Sequence, residues 1–231
     1  ATSESSTGER RIAGRLSYRS DMRAFPSVIT PAAAICVGVL VGVWWSRGAY
    51  AALSLATGYT AAALLLATLL VTPLFCLRRR RRAPLHLPLR RSLGVHAGLL
   101  ALVHTAVSFP VNHGGDVARF FFDPGGGVLL NRFGQSNWLG LIADVLFVAL
   151  LATSTDGSLR WLGGRRWKRL HLIVFAAAVL TALHALGYQS VRGAWVGLTV
   201  ALLVATAGLV VLRVLGRRSL APAPERVHDP R

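Results

Sequence analysis

Apolar residues in this chain gather into long runs, and short bursts of arginine separate them. A helix needs about 20 mostly apolar residues to cross the hydrocarbon core of a bilayer. Six segments come close to that length: Val28–Trp45, Ala49–Leu77, Ser92–Val111, Asn137–Thr153, Leu170–Tyr188 and Ala194–Leu212. The second is long enough to tilt or to run past the bilayer, and the fourth is the shortest. The pattern predicts an all-α integral membrane six-helix bundle over residues 28–215. Residues 1–27 and the Pro-bearing stretch 216–231 read as flexible flanks. The first 23 residues lack the apolar stretch of a cleavable signal peptide, so the first span is expected to act as its own insertion signal. No internal repeat and no soluble domain stands out.

Composition agrees with a membrane protein. Of 231 residues, 53% are hydrophobic and only 15% charged, against about 25% charged in ordinary soluble domains. Lys and Arg total 26 against 9 Asp and Glu, a net charge of +17. A nucleic-acid-binding protein would scatter such charge among polar residues, whereas here it sits between apolar runs. Counted between the predicted spans, Lys and Arg number 5, 1, 7, 2, 5, 1 and 5 along the chain, so 22 fall on one side and 4 on the other. The positive-inside rule then places both termini, the Arg78–Arg82 loop and the Arg160–Arg169 loop in the cytoplasm. The clusters Arg78–Arg82 and Arg165–Arg169 read first as topology determinants and anchors to anionic membrane lipid. Trp44, Trp45, Trp138 and Trp195 fall at predicted interfaces and read as belt residues. Cys36 and Cys76 are the two cysteines, which leaves no CxxC pair, no CxxCH haem attachment and no thiolate cluster. No GxGxxG follows a strand, so nothing here binds a dinucleotide by that fingerprint.

Ionisable groups inside a span are costly and are functional candidates by default. His96 and His104 fall in the third predicted span, His171 and His184 in the fifth. His86, His113 and His228 lie in the loops and tail. At 1.5 Å per residue, His104 and His184 lie about 18 and 21 Å from the cytoplasmic ends of two parallel spans. Two neutral imidazoles at one depth can ligate one iron from both sides without burying a charge. His96 and His171, about 6 and 2 Å deep, define a candidate inner site. The alternative use of each histidine is an interhelical hydrogen bond. On an ideal helix His171 and His184 stand about 220° apart, so one face cannot carry both. Asp144, about 10 Å inside the outer end of the fourth span, is expected either to orient a ligand histidine, to help move a proton, or to sit wet near the interface.

The stretch Arg90-Arg91-Ser92-Leu93-Gly94 with His104 ten residues on, and Thr153-Ser154-Thr155-Asp156-Gly157 with Leu162-Gly163, Trp167-Lys168-Arg169-Leu170-His171 and Leu183-His184, resemble the ferric-reductase-like transmembrane superfamily. Within it they look like the MsrQ (YedZ) haem-binding subunits of bacterial methionine-sulfoxide reductase systems. The resemblance covers roughly residues 90–190. It implies b-type haem, one or two, with His104, His184 and His171 as haem-associated histidines. Many members carry a second histidine where this chain has Arg90, and His96 stands where the MsrQ pattern has an aromatic residue. An inner haem would therefore need His96 or another ligand.

The resemblance further implies a multi-pass protein of the bacterial inner membrane that passes electrons outward. The donor would be quinol or a cytosolic flavin reductase, and quinone or flavin stays open as a further cofactor. The acceptor would be an outer-side redox partner such as a molybdenum-containing reductase. Such a chain is an electron-transfer subunit rather than a self-sufficient enzyme. A non-catalytic accessory subunit of a larger membrane complex is the alternative. A transporter is a weaker third, since neither inverted repeats nor paired broken helices stand out.

Overall fold

The computed structural model describes residues 48–77 and 86–192, with four further helical positions at 204, 207, 208 and 211. The predicted first span, both flanks, Cys36, His228 and nearly all of the sixth span lie outside the described residues. Trp44, Trp45, Trp195 and Arg78–Arg82 do so too.

Helix α1, Ala49–Leu77, coincides with the second predicted span. Its Thr57, Thr60 and Thr68 hydroxyls donate to carbonyls four residues back, at 2.7, 2.7 and 2.8 Å. Polar side chains in an apolar helix are thereby satisfied without a second element. Helix α2, His86–Ser108, starts six residues before the apolar run, because Arg90 and Arg91 interrupt apolarity but not helicity. A 3-10 turn, Phe109–Val111, ends it at Pro110, whose ring lacks the N–H a continuing helix requires.

Helix α3, Arg132–Ala152, also starts ahead of its apolar run, with the Asn131 side chain accepting from the Gly134 N–H at 2.8 Å. Helix α4, Asp156–Leu170, corrects the expectation of a loop across Arg160–Arg169. Thr155 caps it by accepting from the Ser158 N–H at 3.1 Å. Asp156 in its first turn and Lys168 and Arg169 in its last suit the helix dipole. Gly163, at φ 71°, interrupts it. After a 46° bend, α5 runs from Ile173 to Arg192. Three of these helices are long and apolar enough to cross a membrane, and α4 with α5 makes a fourth if the bent pair is one span.

The architecture is two packed pairs, α1 on α2 and α3 on α5, that meet along a narrower seam between α2 and α3. Ala52, Ala56, Ala97 and Ala177 are fully buried, and small residues at such positions let helix backbones approach closely in a membrane. Leu65, Leu69, Leu93, Phe147, Leu150 and Val174 fill the space between. At one end Arg91 pins the pairs together. Its Nε donates to the Ser154 carbonyl at 2.6 Å and its Nη1 to Asp156 Oδ1 at 2.5 Å. The two halves of the sequence motif, Arg90–Gly94 and Thr153–Gly157, thus meet in space. Trp167 Nε1 donates to the Thr153 carbonyl at 2.8 Å beside them.

At the other end, the long loop between α2 and α3 folds back over the bundle. Asp123 closes its tip by accepting from the Gly125 and Gly127 N–H groups at 2.8 and 2.9 Å, and Phe122 bridges Val128. Phe120 is its anchor, 3% exposed and packed edge-on against Phe109. Trp138, expected as a belt residue, packs its indole against Phe121 and Phe122 of this loop.

Candidate functional site

His104 on α2 and His184 on α5 come together between the two helix pairs. Their ring centroids are 6.1 Å apart and their planes stand at 83°, as the equal-depth argument required. Each ring is held from behind. Nδ1 of His104 lies 2.7 Å from the Ser54 carbonyl on α1, and Nδ1 of His184 lies 2.7 Å from the Ser136 carbonyl on α3. A carbonyl only accepts, so in both rings Nδ1 carries the proton and donates. That tautomer leaves the Nε2 lone pair available, which is how a ligating histidine is normally oriented. The two carbonyls are partners that sequence reasoning did not find, because every residue has one and nothing in the alphabet marks which is reached.

The cavity around the pair is lined by Gly58, Tyr59, Phe120, Gly140, Asp144 and Tyr188, among others. Asp144 accepts from the Thr105 hydroxyl at 2.6 Å. It therefore faces the site without orienting either histidine at Nδ1, since both Nδ1 atoms bond to carbonyls. Tyr188 leans on His184, centroids 5.1 Å apart, and its hydroxyl donates to Asn137 Oδ1 at 2.6 Å. Asn137 Nδ2 in turn donates to the Phe120 carbonyl at 2.9 Å. This chain of bonds ties the covering loop to α3 and α5, while Gln189 Nε2 donating to the Tyr59 hydroxyl at 2.7 Å ties α5 to α1.

The other sequence candidates stand apart. His171 caps the C-terminus of α4 at the bend, its Nε2 3.3 Å from Thr153 Oγ1 and its ring stacked on Trp167. The bend removes the difficulty of a 220° separation from His184, since the two do not share one continuous helix. His96 directs Nδ1 to the Ser92 carbonyl of its own helix, at 2.7 Å. His113, expected at the surface, is exposed but packs edge-on against Phe120 and Phe133. The side chain of His86 lies outside the described residues.

Among the described residues, no three His, Cys, Asp or Glu side chains gather in a way that would hold a bare metal ion. Two neighbouring imidazoles with Nδ1 engaged and Nε2 left as the donor instead suit a metal that brings its other ligands with it. An imidazole nitrogen sits about 1.1 Å from its ring centre and about 2.0–2.1 Å from a metal it binds, so two rings on opposite sides of one metal have centres about 6.2–6.4 Å apart. The observed 6.1 Å fits that arrangement.

The family model described as the ferric reductase like transmembrane component matches residues 57–182, more than half of the chain, from the first third of α1 to the middle of α5, ending two residues before His184. The chain belongs to this family. Among curated relatives, it is 35% identical over 128 residues to the protein-methionine-sulfoxide reductase heme-binding subunit MsrQ of Ralstonia nicotianae, covering 55% of this chain and 54% of that one. It is 37% identical over 132 residues to the subunit of the same name from Klebsiella pneumoniae, covering 55% and 59%. The subunit so named from Herminiimonas arsenicoxydans is 36% identical over 117 residues, covering 51% and 49%. The chain thus spans about half the length of the curated relatives it matches.

Proposed function

We propose that this chain is a membrane-embedded electron-transfer subunit that holds one b-type haem between His104 and His184. The observation that carries the reading is the geometry of that pair: two imidazoles from different helix pairs with ring centres 6.1 Å apart, each with Nδ1–H committed to a helix carbonyl. The relatives' shared name, which describes a heme-binding subunit, supports it. A haem would supply reversible one-electron chemistry at its iron. The chain's residues do the rest. His104 and His184 present neutral nitrogen ligands, Ser54 and Ser136 fix their tautomer, and the loop anchored by Phe120 shields the site from the aqueous side.

The finer parts of the reading are a six-helix bundle with cytoplasmic termini in a bacterial inner membrane, supported by the 22-to-4 division of basic residues. Electrons would enter from quinol or a cytosolic flavin reductase. They would leave toward an outer-side partner such as a molybdenum-containing methionine-sulfoxide reductase, in keeping with the name of the relatives.

A second, inner haem held by His171 and His96 is the further reading. His96 favours it, since its Nδ1 also donates to a carbonyl. It requires His171 to turn its Nε2 away from Thr153. A reduced-minus-oxidised absorption spectrum of the detergent-purified protein, with a pyridine haemochrome assay, tests both. Low-spin b-type haem near one per chain supports the His104–His184 site alone, and near two supports the inner site as well. No haem, from cells supplied with it, ends the electron-transfer reading and favours an accessory subunit.

A further inference from the structure

Each imidazole of the pair sits in the same kind of seat. On α1 the seat is Ser54-Leu55-Ala56-Thr57-Gly58 and on α3 it is Ser136-Asn137-Trp138-Leu139-Gly140, a Ser-x-x-x-Gly spacing in both. The serine carbonyl takes Nδ1–H of the ring, and the ring lies over the glycine four residues on. A methyl group at Gly58 would stand 2.7 Å from Nδ1 and 2.8 Å from Cε1 of His104. At Gly140 it would stand 2.7 Å from Nδ1 and 3.0 Å from Cε1 of His184.

The physical reason lies in helix geometry. The carbonyl of residue i already accepts from the N–H of residue i+4, and the side chain at i+4 on the same face screens its second lone pair. At Gly58 and Gly140, hydrogen in place of that side chain leaves the ring room to reach the carbonyl from outside. Glycine inside a helix is otherwise unfavourable relative to alanine and calls for a packing reason. Here the reason is the ring, twice.

Resting on the haem reading above, we propose that Gly58 and Gly140 are positioning residues for the axial ligands: each opens the carbonyl that fixes its histidine as the Nδ1–H tautomer with Nε2 aimed between the helix pairs. The seats are equivalent, one per helix pair, so the ligands are set by a repeated local device and not by a shared polar network. Ligand-orienting partners of this kind are worth about 10–100-fold in metal affinity.

The test compares wild type, Gly58→Ala, Gly140→Ala and Gly94→Ala, in the full chain, by haem content, by the low-spin or high-spin form of the absorption spectrum, and by midpoint potential. At Gly94 an added methyl meets only Thr68 at 3.5 Å, an ordinary contact, so this variant should match wild type. Gly58→Ala and Gly140→Ala should each lose the six-coordinate low-spin form or hold haem about 10–100-fold less tightly. A low-spin wild type with both variants unchanged in spectrum and potential overturns the seats while leaving the haem reading standing. A wild type without haem overturns the reading itself.

If Gly58→Ala fails to accumulate, the pair His104→Gly and His104→Gly with Gly58→Ala decides. With the ring gone the methyl has room, so both should accumulate alike, and the haem-free proteins report on the seat directly. Failure of the double variant alone would assign Gly58 to helix packing and overturn the proposal.

Discussion

The hydroxyl of Tyr188 donates to Oδ1 of Asn137 at 2.6 Å, and the amide of the same Asn137 donates to the Phe120 carbonyl at 2.9 Å. One buried side chain thus satisfies a helix and a loop at once. Asn137→Ala would leave a hydroxyl and a carbonyl without these partners, at about 1–3 kcal/mol for each group stranded. The expected outcome is faster hydrogen exchange at loop amides such as Phe121 and Leu129, together with easier entry of small ligands to the cavity. Exchange no faster than in wild type would show that the aromatic packing of Phe120 alone holds the loop.

His104→Ala and His184→Ala each remove one of the two proposed ligand nitrogens. Either should abolish the low-spin haem signal while the protein still inserts, because insertion is driven by the apolar runs and not by these two side chains. His171→Ala should leave the low-spin signal of this site in place. Optical spectra of the three purified variants check this, and a low-spin signal retained in His104→Ala would remove the assignment.

Asp144→Asn should keep haem and its spectral form. The carboxylate touches Thr105, while both histidines hold their orientation through carbonyls. What should move is the midpoint potential, because a carboxyl group lining the cavity contributes to the local field. Equal potentials in wild type and Asp144→Asn would leave Asp144 no electrostatic part in the site.

Arg91 holds the Asp156 carboxyl below its usual range, chiefly by the hydrogen bond to it and then by its charge. Asp156 opens α4, outside the apolar segments, and is half-exposed. A carboxyl with a depressed folded-state pKa stabilises fully above its unfolded pKa of about 3.9 and loses that contribution as pH falls through the lower folded value. The clamp should therefore be intact at neutral pH and weaken only in acid. Arg91→Ala should destabilise beyond the about 0.2–1 kcal/mol of an exposed ion pair, because it also strips the Ser154 carbonyl of its donor. A double-mutant cycle with Asp156→Asn in thermal unfolding separates the two contributions.

Much of this arrangement was legible in the residues. The run Ala49–Leu77 became a helix of the same bounds, because an apolar stretch in a membrane has no other way to satisfy its backbone. The equal depth of His104 and His184 proved to be real contact. The charged ends of helices were not legible from apolarity: α2 and α3 both begin among polar residues, and α4 has almost none of the apolar character that defined the other elements. The aromatic neighbours of Trp138 were hidden for a related reason. Its position along the helix fits an interface, and only the fold of the loop shows that its indole packs against Phe121 and Phe122. The carbonyls of Ser54 and Ser136 were beyond reach, since a glycine in a helix suggests close approach without saying what approaches.

The two imidazoles belong to different helix pairs that touch along a narrow seam. On the haem reading proposed above, a group bound to both would be a staple as well as a carrier of electrons. Whatever free energy it gains on binding is added to the docking of one pair on the other, because ligation requires both to be in place. On that reading, ligation would add a tie in the middle of the bundle to those the pairs already share: the Arg91 clamp, the Gln189–Tyr59 bond and the common apolar core.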